Sequence, residues 1–165
     1  MKNVLITGGS RGIGKACVYE FLNNGYRVFL NYNKSSDEAE KIKNETGAVI
    51  VKADVSDSKQ VNDMAEFIHT NYGKIDVIVN NAGISQQKLF TDITENDWDR
   101  MFDVNMKSMY LVTKAFVDDM IYKQSGKIIN ISSMWGVTGG SCEVHYSAAK
   151  AAVIGFTKAL AKELG

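Results

Sequence analysis

The stretch Thr7-Gly8-Gly9-Ser10-Arg11-Gly12-Ile13-Gly14 follows directly on the apolar triplet Val4-Leu5-Ile6. The triplet predicts a short buried strand, and the residues after Gly14 predict a helix that begins at once. Glycines at positions 8, 12 and 14 let the backbone approach a bulky anion at points where a Cβ would collide with it. The start of the helix directs unpaired N–H groups and the positive end of its dipole at the same anion. This strand–turn–helix predicts a pyrophosphate site for a dinucleotide; the alternative is a glycine turn that only packs the helix closely.

The composition predicts one globular domain over residues 1–165. The chain is 45% hydrophobic and 23% charged, which is ordinary for a soluble protein with a single core. Lysine plus arginine and aspartate plus glutamate number 19 each, so charge gives no case for binding nucleic acid or an anionic membrane. No apolar run is long enough for a signal peptide or a membrane span. Cys17 and Cys142 lack the spacing of a disulfide framework or a metal site, and we expect a reducing, cytoplasmic location.

Short β-branched runs alternate with helical stretches along the chain. Strands are predicted at 4–6, 28–32, 49–52, 77–79 and 127–131, and helices near 13–24, 37–45, 58–71, 97–122 and 145–164. The strands are apolar throughout, which indicates that both of their faces are covered. This alternation predicts an α/β fold with a doubly wound parallel sheet. Ser35 and Thr94 are predicted helix N-caps. The predicted helix ends lie at Gly25, Gly47, Gly73 and Gly126.

Polar residues follow the third and fourth predicted strands. Ligands of an open parallel sheet bind beyond the carboxyl ends of its strands. Asn81, Ala82 and Gly83 follow strand four and are expected to line the dinucleotide, unless they form only a turn. Asp54, which precedes Val55 after strand three, is expected to accept a hydrogen bond from an adenine amino group, unless it caps a turn.

The end of the second strand bears on the choice of dinucleotide. A ribose 2′-hydroxyl is commonly held by an acidic residue there, whereas a 2′-phosphate needs cations. The strand ends in Asn31-Tyr32-Asn33-Lys34-Ser35, and no acid occurs before Asp37. Arg11 in the glycine turn reaches the same corner, unless it is simply a surface cation. These charges favour NADPH.

A second chemical signal is the pair Tyr146 and Lys150, which lie one helical turn apart and share one helix face. A phenol titrates near pH 10 and is a poor acid–base group at neutral pH. An ammonium group at this distance lowers the pKa of a phenol and makes it useful.

The spacing alone does not identify a site, because Tyr110 and Lys114 repeat it. Context separates the two pairs. Ser133 ends the fifth strand 13 residues before Tyr146, whereas the residue 13 positions before Tyr110 is Asp97. Tyr110 lies in an amphipathic helix, where packing is its expected role.

Taken together, these motifs resemble the short-chain dehydrogenase/reductase family. The glycine turn, the NNAG sequence, Asn105, Ser133, Tyr146 and Lys150 occur in the family's order and spacing, and the likeness runs from Val4 to Leu164. The glycine spacing resembles the compact branch of that family. The resemblance implies a Rossmann sheet with strand order 3-2-1-4-5.

Within the compact branch the chain looks most like the 3-oxoacyl-acyl-carrier-protein reductases. The patterns SSxWG and SCEVxYS resemble, more narrowly, reductases that act on 5-aminopentanone-modified elongation factor P. The implied substrate is a carbonyl compound carried on acyl carrier protein or on modified elongation factor P. A homotetramer is implied for the complete protein, with apolar positions such as Met109, Phe116, Val153 and Phe156 facing other subunits; burial within the monomer is the alternative.

The family resemblance also implies catalytic roles. Tyr146 would donate a proton to the substrate carbonyl as hydride arrives, and Lys150 would lower the pKa of that tyrosine and hold ribose hydroxyls. Ser133 would donate a hydrogen bond to the carbonyl oxygen, and Asn105 would hold a water next to Lys150. Two alternatives remain: Ser132 faces the site in place of Ser133, or Asn105 is a satisfied interior amide. The expected cofactor contacts are Gly8, Ser10, Arg11, Gly12, Ile13, Gly14, Asn31, Asp54, Val55, Asn81, Ala82, Gly83, Tyr146 and Lys150.

Substrate selection is less readable from the sequence. The residues expected to shape the pocket around Tyr146 are Ser85, Gln86, Trp135, Cys142, Glu143 and His145. Glu143 is expected to receive a cationic amine, unless it is a surface or hinge carboxylate. His145 is assigned no role, because adjacent helical residues point about 100° apart.

Members of the family continue past the tyrosine–lysine helix with two more strands, a proline-glycine loop and a substrate lid. The chain contains no proline. We therefore expect an incomplete reductase whose fifth strand is an open apolar edge. The alternatives to an active reductase are a non-catalytic dinucleotide-binding module and an inactive fragment.

Overall fold

Five parallel strands form a single sheet in the order β3-β2-β1-β4-β5, in a computed structural model that describes residues 1–165. The strands are β1 (Asn3–Ile6), β2 (Arg27–Tyr32), β3 (Val49–Lys52), β4 (Val77–Asn80) and β5 (Lys127–Asn130). The α-helices are α1 (Gly12–Asn23), α2 (Ser36–Thr46), α3 (Ser58–Tyr72), α4 (Glu95–Phe102), α5 (Ser108–Lys123), α6 (Trp135–Thr138) and α7 (Val144–Leu164). The predicted doubly wound sheet and its strand order are confirmed. No helix has the length and apolar character that crossing a membrane requires.

The two faces of the sheet bury alternate residues of each strand. Val4 and Ile6 belong to a buried cluster that includes Val18 of α1, whereas Leu5 belongs to a cluster on the other face with Phe116 of α5. All of these side chains are fully buried. Each contributes about 2 kcal/mol by leaving water. This explains why the strand sequences are apolar without alternation.

The predicted helix at 97–122 is divided into three parts. α4 ends at Phe102, a π-helical turn covers Asp103–Lys107, and α5 follows directly. A π-turn inserts one residue into the helical repeat and often marks a functional site. Here it contains Asn105, which is completely buried. A 3-10 turn at Phe90–Asp92 and the short helix α6 were not predicted.

Most predicted helix boundaries are correct. Thr94 forms a capping box with Asp97, whereas Ser35 precedes α2 without a side-chain capping bond. Gly25, Gly47 and Gly73 have positive φ angles at helix ends, as expected.

The role predicted for Gly126 is wrong. α5 ends at Lys123, and Gln124 adopts the left-handed conformation that ends the helix. Gly126 is required for a different reason, because a Cβ there would lie 2.4 Å from Cγ of Met120.

Three of the four residues expected at subunit contacts are core residues. Met109, Phe116 and Val153 are at most 1% exposed, so the alternative, burial within the monomer, holds for them. Phe156 is half-buried. The apolar side chains that α5 does expose are Tyr110, Ile121 and Tyr122.

β5 is an edge strand, and its outer side is open. Ile129 is 42% exposed. A cavity of about 730 Å³ lies along this edge between the ends of α5 and α7, and its lining includes Met120, Ile128 and Leu160. This cavity shares no lining residue with the cavity over the ends of β1, β2 and β3.

Candidate active site

The glycines of the turn after β1 are required for different structural reasons. Gly8 and Gly12 have φ angles of +63° and +54°, which L-residues rarely adopt. A Cβ on Gly14 would lie 2.3 Å from the carbonyl oxygen of Gly8 and 2.5 Å from Nδ2 of Asn81. Gly14 therefore allows α1 to pack directly on the turn, which is the alternative considered for this motif. A Cβ on Gly12 would meet no atom within 4 Å, so the space above the helix start is open.

Asn81 ties the end of β4 to the glycine turn. Its side-chain Nδ2 donates to the carbonyl oxygens of Thr7 and Gly8, at 3.0 and 3.1 Å. The hydroxyl of Thr7 accepts from the backbone N–H groups of Asn81 and Ala82, both at 3.0 Å. The amide of Asn81 thus holds the two strand ends together, and its part in the site is to fix the shape of the turn.

Asn31 has a similar task at the end of β2. Its side chain is 2% exposed, and Nδ2 donates to the carbonyl oxygens of Val51 and Ala53. Its Oδ1 accepts from the N–H of Gly8 at 3.5 Å. The amide therefore joins three neighbouring strand ends.

A cavity of about 400 Å³ lies over these strand ends. The predicted cofactor contacts that line it are Gly8, Ser10, Arg11, Asn31, Asp54, Val55, Asn81, Ala82 and Gly83. Those outside its lining are Gly12, Ile13, Gly14, Tyr146 and Lys150. The remaining lining residues were not predicted from the sequence as contacts, and they are Tyr32, Asn33, Lys34, Ser35, Ala53, Ile84, Arg100 and Val104.

The charge around this cavity is mainly positive. Arg11, Lys34 and Arg100 line it, and Asp54 is the one carboxylate that does. Asp54 accepts hydrogen bonds from the backbone N–H and hydroxyl of Ser56, at 2.9 and 2.6 Å, and its Oδ2 lies 3.9 Å from Nη2 of Arg100. Burial raises the pKa of Asp54, but these hydrogen bonds and the nearby guanidinium outweigh burial and leave the pKa below its ordinary value.

Lys150 is a buried ammonium group on α7. It is 4% exposed, and its Nζ donates to the carbonyl oxygen of Ile131 at 2.9 Å. Burial lowers its pKa. Its Nζ lies 5.8 Å from the ring centre of Tyr146, and Lys114 lies at a similar 5.9 Å from the ring of Tyr110. Burial, rather than pair geometry, distinguishes the two pairs, because Tyr110 and Lys114 are both exposed.

The two serines after β5 have different partners. The hydroxyl of Ser132 donates to the backbone carbonyl of Lys150 at 2.8 Å, which fixes the strand end to α7. The hydroxyl oxygen of Ser133 accepts from the N–H of Trp135 at 3.2 Å, so its own proton remains available to another acceptor. This difference favours Ser133 over Ser132 as a donor to a substrate.

Asn105 is bonded entirely within the protein. Its Oδ1 accepts from the N–H of Ile84, and its Nδ2 donates to the carbonyl oxygens of Ile84 and Met101, all between 3.0 and 3.2 Å. The side chain is thus the satisfied interior amide that the sequence left open as an alternative. A Cβ on Gly83 would lie 2.7 Å from Oδ1 of Asn105 and 3.6 Å from Nζ of Lys150, so Gly83 separates these two polar groups.

The residues expected to shape the substrate pocket are only partly free to do so. His145 is completely buried, and both ends of the Gln86 amide are engaged, with His145 and Asp97. Glu143 is half-buried at the start of α7 and makes no capping bond. Cys142 has a φ angle of +59°, a strained conformation for a residue with a side chain.

Comparison with known proteins identifies the family to which the chain belongs. Residues 2–165 match the family model described as short chain dehydrogenase. The chain belongs to the short-chain dehydrogenase family. The resemblance drawn from the glycine turn, Ser133 and the Tyr146–Lys150 pair is thereby confirmed.

Several curated relatives match almost the whole of this chain. The chain is 42% identical to a 3-oxoacyl-[acyl-carrier-protein] reductase of Synechocystis sp. over 97% of its own length and 67% of the relative's. It is 37% identical to the reductase of that name from Staphylococcus aureus and 39% identical to the one from Chlamydia muridarum, each over 99% of this chain and 68% of the relative. As a member of the short-chain dehydrogenase family, the chain is an oxidoreductase that acts on CH–OH groups.

Proposed function

We propose that this short-chain dehydrogenase reduces the ketone of a 3-oxoacyl group to a secondary alcohol with NADPH, the acyl group being carried on acyl carrier protein. The observation that carries the proposal is the buried ammonium of Lys150. It is anchored to Ile131, two residues before Ser133, and lies one helical turn from Tyr146. The names of the relatives in three bacteria support the substrate class.

The residues around the glycine turn fit a dinucleotide. The first turn of α1 begins at Gly12, where no protein atom covers the site that a Cβ would take, and its N–H groups provide a place for a pyrophosphate. NADPH held at this turn would supply the hydride for the carbonyl carbon. Asn31 and Asn81 hold the turn in this shape through the hydrogen bonds of their side-chain amides.

The chain's own residues donate the proton and stabilise the negative charge that develops on the carbonyl oxygen. Tyr146 donates its phenolic proton to the carbonyl oxygen, so that the ketone gains one hydride and one proton. Ser133 donates a hydrogen bond to the same oxygen, where negative charge grows in the transition state. Lys150 places a positive charge one helical turn from Tyr146 and binds ribose hydroxyls. Asn105 holds the segment at Ile84 in place, and a water beside it would return a proton from solvent.

The cations of the cavity favour NADPH over NADH. Arg11 and Lys34 line its wall beside the end of β2, where an NAD-dependent site commonly carries an acid. Asp54 does not compete for this role, because Ser56 and Arg100 already engage its carboxylate. A 2′-phosphate would therefore meet positive charge without a free carboxylate nearby.

A second substrate, 5-aminopentanone-modified elongation factor P, is favoured by one observation. Glu143 lies three residues before Tyr146, and its carboxylate forms no ion pair. Such a carboxylate suits a cationic amine on the substrate. The substitution Glu143→Gln should then slow reduction of an amine-bearing ketone far more than that of a neutral 3-oxoacyl thioester, and equal effects would remove this candidate.

We also propose a cytoplasmic location and a homotetramer. The exposed apolar side chains of α5 provide a surface for subunit contact, which includes Tyr110, Ile121 and Tyr122. Light scattering coupled to gel filtration measures the assembly directly, and a monomer at micromolar concentration would contradict it.

The decisive experiment is NADPH oxidation with 3-oxoacyl thioesters, followed by absorbance. Tyr146→Phe should reduce kcat by a factor of about 10²–10⁴, because the general acid is removed. Tyr110→Phe is the matched control, since it removes the same hydroxyl from a pair with the same spacing, and it should retain activity. Full activity in Tyr146→Phe would exclude the proposed acid. NADPH binding without turnover in the wild type would favour the non-catalytic alternative.

A further inference from the structure

His145 is a buried imidazole for which the proposed reaction has no use. It directly precedes Tyr146 on α7 and is completely buried. Its Nε2 lies 2.9 Å from Oε1 of Gln86, and its Nδ1 is buried without a hydrogen-bond partner. Burying a polar group costs free energy unless the group is hydrogen-bonded. The bond to Gln86 is the only one that compensates for burial of this ring.

The partner of His145 is itself held by a carboxylate. Nε2 of Gln86 donates to Oδ1 of Asp97 at 3.1 Å. Asp97 also accepts from Nζ of Lys88 at 2.6 Å and from the backbone and hydroxyl of Thr94. The bonds from Lys88 and Thr94 hold the pKa of Asp97 far below its usual range, so the carboxylate is ionised and can only accept.

The ionised carboxylate gives this chain of hydrogen bonds a single direction. Because Asp97 only accepts, the amide nitrogen of Gln86 must face it, and the amide oxygen must face His145. That oxygen requires a donor, so the proton of the neutral imidazole lies on Nε2. Nδ1 then carries a lone pair, which agrees with its lack of an acceptor.

A second bond joins the same two segments. The backbone N–H of Lys88 donates to the carbonyl oxygen of Cys142 at 2.7 Å. Cys142 is held in its strained positive-φ conformation at this point. The segment from Gly83 to Lys88 therefore begins at the dinucleotide cavity and is attached at its far end to the residues that lead into the helix carrying Tyr146.

We propose that Asp97, Gln86 and His145 form a one-directional hydrogen-bond relay that positions the segment Gly83–Lys88 against the start of α7 and so sets the approach of the carbonyl substrate to Tyr146. All three are positioning residues, since they act through the segment they hold. The relay itself stands on these hydrogen bonds and on the acceptor-only carboxylate of Asp97. Its effect on the substrate rests on the proposed function.

The relay is tested by NMR of the full chain labelled with ¹⁵N-histidine. At about pH 9, where a free imidazole is neutral, His145 should carry its proton on Nε2, and that proton should be protected from exchange with water. Gln86→Met keeps the size of the side chain but removes both hydrogen bonds, and it should abolish the protection. His69 is an internal control, because its ring is 38% exposed and contacts Asp119, far along the chain from Gln86. A proton on Nδ1, or a His145 signal unchanged in Gln86→Met, would overturn the relay.

The positioning role is tested by steady-state kinetics on two variants of one residue. His145→Leu removes the donor and should raise KM for the ketone about tenfold, with a smaller change in kcat and an unchanged Kd for NADPH. His145→Gln places an amide N–H near the position of Nε2 and should restore KM to within about threefold. Equal losses in both variants, or an unchanged KM in His145→Leu, would contradict the role. If the wild type reduces no ketone, the proposed function fails, and the NMR result still decides the relay.

Discussion

Nζ of Lys150 donates a hydrogen bond to the carbonyl oxygen of Ile131 at 2.9 Å, and no carboxylate lies within ion-pair distance of it. The bond connects α7 to the segment that leads to Ser133. It therefore fixes the relative position of the two elements that carry Tyr146 and Ser133. The site keeps a buried cation in place before any ligand binds, and burial lowers the pKa of that cation. The stability of the fold is therefore linked to the protonation of Lys150.

Lys150→Met should alter how stability depends on pH. Because the pKa of Lys150 is lowered in the folded protein, protonation favours the unfolded chain. The penalty is fully present below the folded pKa and disappears as pH rises toward the unfolded value of about 10.4. The wild type should therefore gain stability relative to Lys150→Met across this alkaline range, as urea titrations at several pH values would measure. Lys114→Met, on the exposed pair, should show no such difference.

The same substitution should abolish turnover. Methionine approximately preserves the length of the side chain but removes the positive charge and the N–H donors beside the proposed acid Tyr146, and we expect kcat to fall by about 10² or more. Two results would contradict the role of the buried ammonium. One is a stability of Lys150→Met that changes with pH in parallel with that of the wild type, and the other is retained activity.

Ser133→Ala and Ser132→Ala should separate catalysis from stability. Ser133 has a free hydroxyl proton, so its loss should lower kcat by about 10²–10³ with little change in unfolding. Ser132 donates to the backbone of Lys150, so its loss should cost about 1 kcal/mol of stability with a much smaller change in kcat. Stopped-flow rates and thermal unfolding of both variants provide the comparison. The reverse pattern would assign Ser132 to the substrate.

The sheet could be predicted from the sequence because its signals are local. The predicted strand 28–32 and the observed Arg27–Tyr32 differ by one residue, and the apolar run Val28-Phe29-Leu30 is sufficient to define such a strand. The break in the predicted helix 97–122 has a different origin. The π-helical turn is accompanied by hydrogen bonds between Asn105 and Ile84, which lie 21 positions apart, and no helical periodicity records such a contact.

In the site, too, features that are local in sequence could be predicted, whereas contacts between distant positions could not. The glycine turn and the Tyr146–Lys150 pair are patterns within eight residues, and both could be read directly from the sequence. Arg100 lines the cavity over the strand ends from α4 and reaches Asp54 across 46 positions, and no spacing rule identifies it. For the apolar face that includes Met109, the sequence leaves subunit contact and burial within the monomer both open, because a pattern shows which residues are apolar but not what covers them.

Gly14→Ala should be damaging for a reason specific to its position. The new Cβ would lie 2.3 Å from the carbonyl oxygen of Gly8, so α1 or the turn must move, and we expect a loss of about 1–3 kcal/mol. Cofactor affinity should fall with it. Gly155→Ala is the matched control, because its Cβ would meet nothing within 4 Å in the interior of α7. It should stabilise the protein by about 0.5–1 kcal/mol. Equal unfolding midpoints for the two variants would contradict this account of the turn.

The double substitution Arg11→Ala with Lys34→Ala should reduce the preference for NADPH. Both cations line the cavity in which a 2′-phosphate would bind, Arg11 from the glycine turn and Lys34 from just after β2, and Asp54 is engaged elsewhere. Because NADH lacks this phosphate, its affinity should change little, while the ratio of NADPH to NADH affinity should fall by about 10–100-fold. Isothermal titration with both dinucleotides measures the ratio directly. Lys15→Ala removes a neighbouring exposed charge of α1 outside the cavity lining and should leave the ratio unchanged. Equal weakening of both dinucleotides in the double variant would mean that these cations bind the pyrophosphate instead, and the choice of NADPH would then need another basis.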